Sequence, residues 1–147
     1  MADAQMCSEG VLWRMPKKEV RILVVDDEIA DLNLMCNVLR AQGYTAFAAA
    51  SYAEAVQTHR MHRGAIDLLV ADVSLPDKNG CDLALVLLEA DPDLKVLFVS
   101  GETGTEVFKF SKMSNVHLLK KPFAPAELLS RVRGILVRTM GASQYSQ

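Results

Sequence analysis

Five times along this chain a short apolar run is followed by a segment with helical periodicity, and that alternation constrains the fold more than any other feature. Val20–Val25, Tyr44–Ala49, Asp67–Asp72, Leu94–Val99 and Val116–Leu119 read as strands, being short, apolar and rich in β-branched residues. Leu32, Met35, Val38 and Leu39 then recur at helical spacing ahead of Gly43. Ser51 is placed to cap a helix reaching about Met61, and Cys81–Ala90 carries Leu83, Val86 and Leu87 before Pro92 ends it. A weaker helical pattern runs from Thr103 to about Met113. Pro125 opens a last helix with Leu128, Leu129, Val132, Ile135 and Leu136 on one face, as proline suits a first helical turn. Continuous apolar strands separated by helices require a parallel sheet covered on both faces. Right-handed crossovers make it a doubly wound five-stranded parallel α/β sheet, (βα)5.

The rest of the sequence fits one such unit, spanning residues 19–139 between tails at 1–18 and 140–147. Of 147 residues half are apolar and 23% charged, ordinary globular composition with enough apolar surface for a core. A net charge of -2 offers no basic stripe for nucleic acid. No apolar run approaches the roughly 20 residues of a membrane span. Asp3 and Glu9 interrupt the N-terminal segment, which lacks the apolar stretch of a secretory leader; a cytoplasmic location is expected. Cys7, Cys36 and Cys81 are odd in number and none has CxxC spacing, so they read as free thiols, buried or partly buried, in a reducing compartment.

In doubly wound sheets functional groups gather beyond the carboxyl ends of the strands. Those ends supply Asp26 and Asp27 from the first strand, Asp72 from the third, Ser100 from the fourth and Lys121 from the fifth. Ending a strand or capping a helix accounts for one such acid, but not for this set at four strand ends. Three carboxylates repel one another; a divalent cation and Lys121 together would balance their charge. Mg²⁺ takes oxygen ligands and keeps sites for water and phosphate oxygens. An aspartate carboxylate beside it is equipped to attack phosphorus and form an aspartyl-phosphate. Other candidates are weaker. His59 and His62, beside Arg60 and Arg63, read as an exposed basic helix face rather than a Zn²⁺ site, which lacks further ligands at suitable spacing. His117 reads as packed or exposed near the last strand rather than as a phosphoryl acceptor. Gly101 and Gly104 do not make a Walker motif.

The segments Val-Val-Asp-Asp-Glu at 24–28, Leu-Leu-Val-Ala-Asp-Val-Ser-Leu-Pro-Asp-Lys-Asn-Gly at 68–80, Leu-Phe-Val-Ser-Gly-Glu at 97–102 and Leu-Leu-Lys-Lys-Pro-Phe at 118–123 together resemble the receiver domains of two-component response regulators, the CheY-like family with a flavodoxin-like fold. The resemblance covers about Val20 to Val137. It implies that Asp72 is the phosphoacceptor. Asp26 and Asp27 would hold Mg²⁺ with Asp72 and the backbone carbonyl of Ser74, Ser100 would be the switch hydroxyl, and Lys121 would pair with the phosphoryl group. Lys121, not Lys120, precedes Pro122-Phe123, and the Lys-Pro bond of this family is typically cis. Two departures stand out. Leu118 occupies a position where receivers often carry Tyr or Phe, and Ser74 and Glu102 lie two residues beyond Asp72 and Ser100, positions that in the family influence how fast the phosphoryl group is lost.

The function implied is a switch rather than an enzyme. The phosphoryl group would come from a sensor histidine kinase or a histidine phosphotransfer protein, and an unidentified downstream protein would read the changed surface. A homodimer through the last two helices is an option within the family. A haloacid-dehalogenase type phosphatase would want a second carboxylate where Ser74 stands. A pseudo-receiver would not need the full set of acids, hydroxyl and lysine. Few residues follow Lys121, so no output domain is expected after it. The chain reads either as a single-domain regulator or as a receiver belonging to a longer protein such as a hybrid kinase.

Overall fold

The computed structural model describes residues 19–101 and 113–145, with side chains as far as residue 137. Its elements are β1 (Arg21–Val25), α1 (Ile29–Ala41), β2 (Thr45–Ala49), α2 (Tyr52–Met61), β3 (Leu68–Asp72), α3 (Gly80–Ala90), β4 (Lys95–Ser100), β5 (Val116–Lys120) and α4 (Pro125–Tyr145). The helix expected at 103–113 falls almost wholly outside the described residues, as do Cys7, Glu102 and Gly104. The strands form one sheet in the order β2-β1-β3-β4-β5, and every pairing is parallel. The sheet is therefore the doubly wound, flavodoxin-like one the alternation requires. Its winding reverses between β1 and β3, the switch point where such sheets open a crevice at the carboxyl edge.

Strand residues alternate between two cores. Ile22, Val24, Leu68, Val70, Leu97 and Val99 face α1 and α4, packing with Leu32, Met35, Leu39, Leu128, Val132 and Ile135. Leu23, Val25, Leu69, Ala71, Val96 and Phe98 face α2 and α3, packing with Ala55, Leu83, Ala84 and Leu87. β3 is buried along its whole length, the environment that a run of apolar residues without polar alternation demands. Cys36 and Cys81 are buried thiols outside any disulfide, one in each core.

Local signals explain most element ends. The Ser51 side chain accepts from the Glu54 amide at 3.2 Å, capping α2, and Asn79 does the same for α3 through the Asp82 amide at 2.8 Å. Gly43 after α1 takes a φ of 93°, which favours glycine.

Three expectations are corrected. His59 is not on an exposed face: it is buried in α2, one turn from buried Ala55, because this helix has few large apolar side chains to turn inward. His62 stacks on Phe47 with ring centroids 4.3 Å apart rather than standing free. The backbone of the last helix also runs to Tyr145, past residue 139, where the sequence suggests a frayed tail.

Candidate functional site

The register of the two central strands brings the first acids together. Val25 pairs with Ala71, so Asp26 and Asp72 are the next residues along their strands, side by side at the carboxyl edge. Asp26 is fully buried and Asp72 nearly so. Each carboxylate is held by the amide two residues on: Asp26 Oδ1 accepts from Glu28 at 2.9 Å, and Asp72 Oδ1 accepts from Ser74 at 2.9 Å. These local turns are what aspartate makes readily. Asp27 follows on the exposed side. Carboxylate oxygens of Asp26, Asp27 and Asp72 lie within 4.8 Å of one another.

The loop after Asp72 turns back tightly on the strand. The Gly80 amide donates to the Val73 carbonyl at 2.8 Å. A Cβ on Gly80 would lie 2.2 Å from the Asp72 carbonyl oxygen, so glycine is required for this close approach rather than for an unusual φ. Asp77 in the same loop accepts from the Tyr52 and Ala53 amides at 3.1 and 3.2 Å. These bonds to the first turn of α2 outweigh the opposing effect of desolvation and hold the carboxyl of Asp77 below its ordinary range.

The other half of the site comes from β4 and β5. Ser100 is buried at the end of β4, next to Val99, which pairs with Asp72. The Lys121 amide donates to the Ser100 carbonyl at 2.8 Å, and the Lys121-Pro122 peptide is cis. From there the Lys121 ammonium reaches Asp26 Oδ2 at 3.1 Å, Asp31 Oδ2 at 3.2 Å and Asp72 Oδ2 at 3.2 Å. Asp31 is the residue that sequence reasoning missed. It stands in the first turn of α1, one turn beyond Asp27, where an acid ordinarily needs no explanation beyond the helix dipole.

The charges of the site act on one another. Burial, aided by the neighbouring Asp72 carboxylate, pushes Asp26 above the ordinary carboxyl range despite its bonds to the Glu28 amide and Lys121. For Lys121, burial works to lower the pKa, but the bond to Asp26 and the charges of Asp72 and Asp26 prevail and hold the ammonium well above its usual range. An ion pair alone would lower the acid; Asp26 moves the other way because its desolvation is the larger effect. An all-oxygen, anionic donor set of this span suits a hard divalent cation and not a soft one.

The sequence matches the family model of the response regulator receiver domain over residues 22–133, and the chain belongs to that family. It is 34% identical over 128 residues to the aerobic respiration control protein ArcA of Escherichia coli, covering 86% of this chain and 52% of that protein. It is 32% identical over 117 residues to the sensor kinase CckA of Brucella abortus, covering 78% of this chain and 12% of the kinase. The chain thus spans about half of the first relative's length and far less of the second's. A CheY-like receiver domain from Methanospirillum hungatei matches with a TM-score of 0.75 at 27% identity, over 84% of this chain and 98% of the other. The chain is accordingly a receiver module of the two-component type, a signalling family whose relatives include both regulators and kinases.

Among the residues named from sequence, Asp26, Asp27, Asp72, Ser100 and Lys121 gather at one edge, with Ser74 bonded to Asp72 through its amide. Leu118 is 37% exposed and its carbonyl accepts from Arg131; His117 is half-buried on β5. Among the described residues no helix is long and apolar enough to cross a membrane.

Proposed function

We propose that this chain is a phosphorylation switch in which Asp72 accepts a phosphoryl group from a phosphohistidine on a sensor histidine kinase or phosphotransfer protein. One observation carries the reading: the Lys121 ammonium is bonded to both Asp26 and Asp72, while the carboxylates of Asp26, Asp27 and Asp72 crowd within 4.8 Å. Asp26, Asp27, Asp72 and the Ser74 carbonyl would hold Mg²⁺, which supplies positive charge to the transferring oxygens when bound. The Ser74 amide on Oδ1 and the Lys121 ammonium on Oδ2 fix the plane of the Asp72 carboxylate. An Asp72 oxygen forms the new bond to phosphorus as the phosphorus–nitrogen bond to histidine breaks, and the imidazole leaves neutral, keeping the proton on its other ring nitrogen or taking one from water. Lys121 neutralises charge on the phosphoryl oxygens, and the Ser100 hydroxyl donates to one of them.

The product is a changed surface rather than a released compound, so the module acts as a switch and not as a turnover enzyme. The receiver unit is residues 19–139, working in the cytoplasm and signalling by contact with a downstream protein or a second copy of itself, not by touching nucleic acid or membrane directly. Intact mass after incubation with acetyl phosphate tests this, with and without Mg²⁺ and alongside Asp72→Asn. One phosphoryl mass that requires Mg²⁺ and vanishes in the variant is the expected result. Multiple turnovers of a small phosphate ester without a lasting adduct would replace the switch with a phosphatase.

A further inference from the structure

A lysine ammonium has three N–H donors. In Lys121 all three have carboxylate acceptors, on Asp26, Asp31 and Asp72. A phosphoryl group on Asp72 adds strong acceptor oxygens, and the ammonium has no donor for them unless one of these bonds opens. The bonds are not equivalent. Asp72 carries the new group. Asp26 is fully buried and tied to the Glu28 amide, so withdrawing it from the ammonium would strand a buried charge. The side chain of Asp31 is 38% exposed and stands outside the crowded carboxylate trio. It also borders a cavity of about 170 Å³ lined by Leu34, Met35, Lys121, Pro122 and Phe123. That gives the carboxylate both room and water to turn into.

We infer that Asp31 is a positioning residue that competes with the phosphoryl group for Lys121, bonded in the resting state and released on phosphorylation. The inference rests on the receiver reading of the site. It also changes the charge balance. Three carboxylates would be neutralised by one divalent cation and Lys121; the fourth, Asp31, leaves one negative charge in excess. Removing it therefore has effects of opposite sign on the two ligands. An anionic phosphodonor gains, because Lys121 is freed and a repelling charge is gone. A divalent cation loses, because one attracting charge is gone. Damage to the fold would weaken both.

The test compares the parent protein with Asp31→Asn and Asp31→Ala. Phosphorylation by limiting acetyl phosphate at saturating Mg²⁺ is followed by intact mass, and Mg²⁺ affinity is measured by calorimetry without donor. Both variants are expected to take up phosphoryl roughly fivefold faster and to bind Mg²⁺ a few-fold more weakly. The rate gap should narrow as salt is raised. Parent-like rates in both variants, with the parent labelled on Asp72, would overturn this inference and leave the receiver reading standing. Slower phosphorylation together with weaker Mg²⁺ binding would make Asp31 a structural residue only. A parent that takes no phosphoryl group from acetyl phosphate or from a phosphohistidine protein would overturn the receiver reading, and this inference with it.

Discussion

Asp26 shows how the site strains the residue that anchors it. Its carboxylate is fully removed from water and shares Lys121 with two other acids, so the ammonium cannot offset the whole desolvation cost. Its folded pKa lies above the ordinary 3.8. Between 3.8 and that raised value the native state holds a proton there that the unfolded chain has already lost. Stability falls as pH rises from about 4 through the folded value, and the cost is fully present above it. Asp26→Asn keeps an oxygen for the Glu28 amide while removing the charge. At pH 7.5 without Mg²⁺ it is expected to raise the unfolding free energy by about 1 kcal/mol, a gain that shrinks toward pH 4. Urea denaturation at the two pH values measures this, and calorimetry should show weakened Mg²⁺ binding in the same variant. The site thus keeps a carboxylate that the fold alone would be more stable without.

Elements, rather than single residues, set the positions of the acids and the lysine. β3 and α3 are joined by a loop that closes only because Gly80 has no side chain where the Asp72 carbonyl passes. Gly80→Ala must push backbone against backbone, and about 2 kcal/mol of lost stability is expected, with uptake of phosphoryl on Asp72 slowed more than a stability loss of that size would explain. Thermal denaturation and the acetyl phosphate assay separate the two effects. Helix α2 carries a different penalty. The His59 ring is buried and its Nε2 has no hydrogen-bond partner among the described residues. Burial pulls its pKa below 6.5, against the attraction of Asp91 and with the repulsion of Arg63. The folded state keeps the imidazole neutral while the unfolded chain protonates it, so stability is full above pH 6.5 and is lost as pH falls below it. Between pH 7.5 and pH 5 the parent should lose about 1 kcal/mol more than His59→Leu does, read from paired urea titrations. None of this was legible in sequence, where a histidine beside an arginine reads as surface: α2 has too few apolar side chains to fill its inner face, and only the packed neighbour reveals that. Asp31 escaped for a similar reason, since an acid in a first helical turn has a sufficient local explanation. The acids at strand ends were legible because parallel register carries adjacent strands to one edge, and a carboxylate there has no local purpose repeated across strands.

At the scale of the whole molecule, the sheet is a wall between two cores that, among the described residues, share no buried side chain. The alternation of Ile22 and Val24 toward one side with Leu23 and Val25 toward the other follows from the two-residue period of a strand. That period is why five apolar runs sufficed to read the fold. It did not reveal which helix covers which side: the helices divide as α1 with α4 and α2 with α3, a consequence of crossover handedness at the switch between β1 and β3. The division has an energetic consequence. Leu83 of α3 is buried in one core and Ile135 of α4 in the other, with no side chain shared between the two among the described residues. Leu83→Ala should cost about 3 kcal/mol and Ile135→Val about 1 kcal/mol. Because a continuous sheet separates the two cavities, the double variant should lose the sum to within about 0.5 kcal/mol. Urea denaturation of the four proteins measures it. A coupling well above that figure would mean that the sheet bends to relieve a cavity on one side by repacking the other. The carboxyl edge would then move with it, since Asp26 and Asp72 extend from the same strands.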